Sequence, residues 1–325
     1  VLASYKALNE YSFCQLLNFP VELKQILQTQ IVEPKLEKQL KSKIAVLREI
    51  SGNVSSKVRE QYEQNPYPRW LSLAVPHISK PISTILKNKK LKITDLSVNE
   101  IKNPKILIAG CGTGQHAIET ATRFKDCEVL AVDLSLSSLA YARRKTEELG
   151  LTNIEYMQAD ILDLGSLNRQ FDIVESAGVL HHMEDPMAGW KVLTDCLKPG
   201  GLMKIGLYSE LARKNIVQMR NEIQELSIDS DDAAMKLFRQ HVVNSEKNHH
   251  KDIVSNPDFY CLSGLRDLLF HVQEHRFTIS EIKESLAQLG LDFCGFEFRS
   301  DKKVDKFKSQ NLAQHAIYDL DKWDV

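Results

Sequence analysis

Apolar residues in the first part of the chain recur at helical spacing, with Leu23, Ile26, Leu27 and Ile31 set among Lys, Glu and Gln. This predicts a helical lead-in to about residue 65, with Pro20 and Pro34 as breaks. The run Tyr62-Glu63-Gln64-Asn65-Pro66-Tyr67-Pro68-Arg69-Trp70 ends it, because each proline holds the preceding residue extended. From about 104 to 207 the pattern changes to short apolar runs alternating with helical periods, the form of βαβ units on a parallel sheet. Strands are predicted at Ile106–Ala109, Cys127–Val132, Ile154–Gln158, Phe171–Glu175 and Leu202–Leu207. Helices are predicted from about Gln115 to Phe124, after Ser135 as N-cap up to Gly150, and from Asp185-Pro186 to Pro199-Gly200-Gly201.

Residues 208 to 260 are polar, rich in His and Asp, and helical where periodic, so they read as an insertion or lid. A helix capped by Thr278 or Ser280 is expected to end at Gly290, and Leu291 to Phe298 alternates like a late strand. The division that follows is an N-terminal helical region over 1–70, a Rossmann-like core over 71–207, a helical insertion over 208–275 and a C-terminal part of the core over 276–325. The start at Val1 and the abrupt end at Lys322-Trp323-Asp324-Val325 are read as signs of truncation.

Composition adds little beyond exclusions. Among 325 residues, 43% are hydrophobic and 26% charged, and the formal net charge is -1. Neither disorder nor a membrane class fits, and no nucleic-acid partner is expected from charge. No run approaches the roughly 18 apolar residues of a span, so no membrane insertion is expected. The basic run Lys87 to Lys92 reads as a solvated loop. Six cysteines without a C-x-x-C pair suggest reduced thiols and a cytoplasmic protein.

The chemistry concentrates in Gly110-Cys111-Gly112-Thr113-Gly114-Gln115, which follows a strand and opens a helix. A dinucleotide fingerprint wants a small residue at 115, where this chain has the long Gln115. Asp133, about twenty residues beyond Gly112 at a strand end, suits ribose hydroxyls, and Asp160 suits an adenine amino group. Two acids and no Lys or Arg in the glycine turn disfavour a pyrophosphate and favour a cationic adenosine ligand. Glu175 is placed either in the cofactor cleft or at a strand edge. His181-His182 and His249-His250 beside Asp252 read as packed histidines, and no metal is assigned. Cys111 reads as a small packed side chain, and Tyr67 and Arg69 as packing or cleft residues with equal weight.

Ile106 to Gln115, Asp133, Asp160, Phe171-Asp172-Ile173-Val174, Leu180-His181-His182 and Leu197-Lys198-Pro199-Gly200-Gly201 together resemble the ordered motifs of class I S-adenosylmethionine-dependent methyltransferases. The likeness covers about a third of the chain. Ile108 departs from it, standing where most of the superfamily carries an acid. Val58 to Trp70, Ile108 to His116 and Gly206-Leu207-Tyr208-Ser209 resemble bacterial methyltransferases joined to tetratricopeptide repeats, in which the isoleucine-alanine variant is normal. The Lys- and Asn-rich texture and the tail are similar to the rickettsial outer-membrane-protein lysine methyltransferases.

The resemblance implies an α/β, doubly wound Rossmann-like methyltransferase sheet with an N-terminal helical extension and a helical insertion after the fifth strand. It implies S-adenosyl-L-methionine as cofactor, held by Gly110, Cys111, Gly112, Gly114, Gln115, Asp133, Leu134, Asp160, Ile161 and Glu175. The methyl group would pass to a nucleophile, a protein lysine amine first, with Tyr67, His181 and Tyr208 as catalytic candidates that accept protons or present aromatic faces to cations. A small acceptor such as a quinone or lipid precursor, or cofactor binding without turnover, are the alternatives. A protein substrate and a homo-oligomer stand as open partners.

Overall fold

A computed structural model describes residues 7–16, 20–76, 78–89, 91–298, 301–311 and 315–324. Part of the basic run, Lys90, lies outside them. The strands are β1 Ala45–Val46, β2 Lys105–Ala109, β3 Glu128–Asp133, β4 Ile154–Gln158, β5 Phe171–Ala177 and β6 Leu197–Gly206. They form one parallel sheet in the order β1-β4-β3-β2-β5-β6. The order reverses at β2, whose two neighbours are β3 and β5, and in open α/β sheets such a switch point is where ligands bind beyond the strand ends.

The helices are α1 Lys24–Leu27, α2 Glu33–Lys41, α3 Asn53–Gln64, α4 Ile82–Asn88, α5 Gln115–Arg123, α6 Leu136–Glu148, α7 Pro186–Asp195, α8 Lys214–Glu225, α9 Asp232–Val243, α10 Asn248–Val254, α11 Leu262–Leu269, α12 Ile279–Leu289 and α13 Asp301–Gln310. Strand alternation divides the apolar side chains between the two faces. Ile106, Ile108, Val129 and Ala131 pack against α4, α5 and α6. Leu107, Ala109, Leu130, Val132 and Val174 pack on the other face against Trp190 and Leu193 of α7, with Leu286 and Leu289 of α12 beside them. Ile108 is fully buried in the first cluster, so its side chain is core.

Local signals set most boundaries. Ser135 caps α6 by accepting from the Ser138 N–H at 3.1 Å, and Asp185 caps α7 by accepting from Met187 and Ala188. Thr278 and Glu281 form a capping box at α12, which closes on left-handed Gly290. Helices α8, α9 and α11 enclose a core of their own, with Met219, Met235, Phe238, Phe259 and Leu265.

Three expectations are corrected. Pro34 does not break the lead-in but sits in the first turn of α2, where its missing N–H is tolerated, directly after a wide i→i+5 turn at Gln28–Val32. The lead-in is not purely helical, since β1 adds a two-residue edge strand to β4. Leu291 to Phe298 is not a strand: Gly295 has φ 134, and Phe293, Phe296 and Phe298 pack on one another and on Trp323. The sheet therefore has six strands, and the helices after β6 follow the fifth strand of the core.

Gly114 stands at φ 85, and a Cβ there would meet Ala142 Cβ at 2.5 Å. Gly114→Ala should cost about 2–4 kcal/mol from the left-handed backbone and the overpacking combined. A urea denaturation curve against the parent chain measures it.

Candidate active site at the sheet edge

The turn after β2 has all three glycines at positive φ, 75 at Gly110, 53 at Gly112 and 85 at Gly114. Gly110 and Gly114 need this for packing, since a Cβ at Gly110 would meet Val179 at 2.2 Å. Gly112 differs, because its Cβ position meets only the Tyr67 carbonyl at 3.4 Å. It faces the space beneath the 65–70 segment. The N–H groups of Gly110 and Cys111 donate to the Val132 carbonyl at 2.8 and 2.9 Å, tying the turn to β3. Cys111 is buried, and burial pushes its thiol well above the ordinary range, as a packed side chain requires.

Asp133 ends β3 with its carboxylate turned to this loop. One oxygen accepts from Gly112 N–H at 2.8 Å and the other from Ser135 N–H at 2.9 Å. Burial raises its pKa, against the lowering effect of those N–H groups. A carboxylate offers about four acceptor positions, so each oxygen keeps capacity for a hydroxyl donor. Beside it the Leu134 carbonyl accepts from Gln158 Nε2 at 2.8 Å. Asp160 is buried after β4, caps the turn that begins at Ile161 and accepts from Leu162 N–H at 3.0 Å. Gln115 opens α5, and its side chain reaches Glu119 at 3.4 Å.

Glu175 requires a correction. It lies one residue from Val174 and pairs in register with Ile108, so alternation turns it to the face covered by α5. Its oxygens are taken by His116 at 2.7 Å, Thr120 at 2.8 Å and Arg123 at 2.9 Å. Burial would raise its pKa, but His116 and Arg123 hold it down at about 2. Glu175 is thus the buried anchor of α5, on the strand neighbouring the position where Ile108 replaces an acid.

The Tyr62 to Trp70 run folds over the glycine turn. Thr113 Oγ1 donates to the Pro68 carbonyl and Trp70 Nε1 donates to the Thr113 carbonyl at 3.1 Å. Glu63 of α3 reaches the start of α6, accepting from Ser137 N–H at 2.9 Å and Ser135 Oγ at 3.0 Å, and pairs with Lys41 at 2.6 Å. Negative charge at a helix N-terminus is favourable, so this contact sets where the run crosses the sheet edge. Arg69 lies over the Tyr141 ring at 5.0 Å and pairs with Glu37 at 3.3 Å, which is a packing role.

Against this run pack residues of the helices after β6. Tyr62 donates to Asp267 of α11 at 2.5 Å, and Asp258 stands near enough to Tyr67 to act on it electrostatically. Burial, then the neighbouring carboxylates, push both phenols well above their ordinary pKa. Tyr208 and Asp133 also act on Tyr62 electrostatically. Burial lifts Asp267 to about 6, despite the Tyr62 hydrogen bond that lowers it. Tyr208 follows β6, stacked on His181 at 3.6 Å with the Arg213 guanidinium 3.9 Å from its ring centre. Groups that close must lie on opposite faces, so both faces of the Tyr208 ring are covered. His181 is buried with both ring nitrogens unpartnered, and burial followed by His182 and Arg213 hold its pKa down at about 2. It braces Tyr208 and is a poor proton acceptor. Neither Asp258 nor Asp267 carries a local motif, and only the packing of the lid brings them to the strand ends.

Residues 106–201 match the methyltransferase domain family. The chain carries a class I S-adenosylmethionine-dependent methyltransferase domain. S-adenosylmethionine is the cofactor of such a domain. An uncharacterised protein of Synechococcus sp. is 30% identical over 236 residues, covering 69% of this chain and 56% of that protein. The ubiquinone biosynthesis O-methyltransferase of Acinetobacter baylyi is 33% identical over 113 residues, 34% of this chain and 47% of that one. The chain thus spans about half the length of these curated relatives. Among solved structures, PKMT2 of Rickettsia typhi in complex with AdoHcy is similar in fold, with TM-score 0.55 and 17% identity over 77% of this chain and 52% of that one. Among the described residues, no helix is long and apolar enough to cross a membrane.

Glu175→Gln should destabilise the chain by about 2–3 kcal/mol, because the partly exposed Arg123 loses its buried partner. Its affinity for S-adenosylmethionine, measured calorimetrically on the folded fraction, should change less than about threefold, equivalent to ~0.7 kcal/mol.

Proposed function

We propose that the chain transfers a methyl group from S-adenosylmethionine to an amine, and that the amine is a lysine side chain of a protein. The observation that carries this reading is the Tyr62 hydroxyl hydrogen-bonded to the Asp267 carboxylate, with Asp258 acting electrostatically on Tyr67 beside it. A carboxylate-rich, tyrosine-lined cleft suits a group that arrives as a cation and must give up a proton. The likeness to the ubiquinone biosynthesis O-methyltransferase covers 34% of this chain and so is silent on the acceptor.

The residues present fit the cofactor, since the glycine turn has no basic side chain and leaves space at Gly112, and carboxylates stand after β3 and β4. Asp133 would accept from the ribose hydroxyls and Asp160 from the adenine amino group, with Leu134 and Ile161 against the base and the Gly110–Gly112 backbone along the amino-acid portion. When bound, S-adenosylmethionine supplies an electrophilic methyl group on a sulfonium. Asp258 and Asp267 would attract the lysine ammonium, whose ordinary pKa is about 10.4. Asp267 would take the proton that leaves the amine, while the Tyr62 and Tyr208 hydroxyls orient its lone pair. Glycine-turn and lid residues also exclude water, which keeps the neutral amine a nucleophile.

Asp133→Ala should weaken S-adenosylmethionine binding by about 1–3 kcal/mol, through loss of charge-assisted hydrogen bonds, in calorimetric titration of the folded variant. Methyl transfer to a lysine-bearing protein substrate, followed with labelled cofactor, should rise with pH through about 6 as Asp267 ionises. Asp267 feels Tyr62, Asp258, Arg213 and Glu274, and its proton is bound below that pH and lost above it. Asp267→Asn should remove this limb and lower kcat about 100-fold, within the usual range for a positioned base. Transfer to quinone-like phenols but not to amines would overturn the lysine reading.

A further inference from the structure

Outside the sheet-edge cleft, the helical layer after β6 gathers histidines around one carboxylate. Glu222 of α8 projects towards α10, where its Oε2 lies 3.3 Å from His249 Nε2 and 2.8 Å from His250 Nε2. His241 of α9 brings a third imidazole, with Nε2 at 3.7 Å from Glu222 Oε1. The sequence places His249 and His250 side by side without an acid at ligand spacing, and the tertiary structure supplies the acid from 27 residues away. His250 is fully buried and its Nδ1 has no partner, so this imidazole is held by its Nε2 contact alone. A hollow of about 330 Å³, lined in part by Gln218, Glu222, Lys247 and His249, opens the cluster to solvent.

We infer that Glu222, His249 and His250, with His241 as a fourth donor, form a site for a divalent transition metal of the zinc class. Zinc takes imidazole nitrogens and carboxylate oxygens at about 2.0–2.2 Å in a tetrahedron, whose edges are then about 3.3–3.6 Å. The ligand atoms of Glu222, His249 and His250 all lie within 4.8 Å of one another, so small side-chain movements reach that geometry. Imidazole and carboxylate donors without thiolate suit zinc rather than copper(I), and imidazole excludes magnesium and calcium. Lys247 Nζ sits 2.9 Å from Glu222 Oε1 and competes with the ion for that oxygen, leaving Oε2 as the ligand atom. Bound metal would tie α8, α9 and α10 together, fixing the layer that carries Asp258 and Asp267 over the cleft.

The test is equilibrium dialysis of the full chain against Zn²⁺, with Co²⁺ as a spectroscopic probe. The expected result is one equivalent of Zn²⁺ per chain and the strong visible absorption of tetrahedral Co²⁺. Glu222→Gln and His249→Gln should each weaken binding by more than about tenfold, since losing a ligand costs at least as much as losing a supporting group. Lys247→Ala removes the competing ammonium and should tighten binding severalfold, an effect that a merely hydrogen-bonded cluster would not produce. Circular dichroism establishes that each variant is folded, and the parent titration with the Lys247 variant decides the matter if either ligand variant is not. Failure to bind Zn²⁺ at micromolar concentration, or equal affinity in the parent and both ligand variants, would overturn the assignment. These outcomes do not depend on methyl transfer.

Discussion

The carboxylate of Asp133 holds the site together. It accepts from Gly112 on one side and Ser135 on the other, so the turn after β2 and the first turn of α6 are fixed by one strand end. Both N–H groups belong to backbone that would otherwise leave donors unpaired, and satisfying them with an anion is stronger than with a neutral acceptor. The carboxylate is held partly desolvated for this, and its raised pKa reports that cost. The second carboxylate of the switch region, Glu175, does the corresponding work below the sheet edge by securing α5. Strand parity puts the two acids on the same face, and what separates their duties is position: Asp133 ends β3 beside the glycine turn, whereas Glu175 lies within β5 under α5.

Above this edge the cleft is closed by two pieces of chain that share no sequence neighbourhood. The Tyr62–Trp70 run is held from below by Thr113 and from the side by Glu63 at the start of α6. The lid after β6 is held by its own apolar core and by Arg213, which pairs with Glu274 while lying against Tyr208. The Tyr62–Asp267 hydrogen bond joins the two pieces, and Asp258 acts electrostatically on Tyr67 beside it. Burial there suppresses ionisation of the phenols and lifts Asp267 to about 6, which keeps the pair close to the range in which protons move. The histidines behind them are held neutral by burial, His181 and His271 at about 2 and His182 at about 4, and act as stacked aromatic packing.

Sequence by itself determined what depends on local pattern and local backbone chemistry. Apolar runs and helical periods located the central strands and α5, α6 and α7, and Ser135, Asp185, Thr278 and Gly290 set helix ends through hydrogen bonds within a few residues. The glycine turn and Asp133 were legible because their spacing follows from one βαβ unit. Alternation misled at Leu291–Phe298, where aromatic packing with Trp323 replaced strand pairing, and it could not show that Pro34 would sit within a helix. Only the tertiary structure decided which way Glu175 points, because that depends on which helix covers its face. It alone brought Asp258 and Asp267 to Tyr67 and Tyr62, and Glu222 to His249 and His250, across separations that no local pattern encodes. Such meetings are set by how the lid buries its apolar face, a non-directional constraint that fixes side-chain neighbours without leaving a motif.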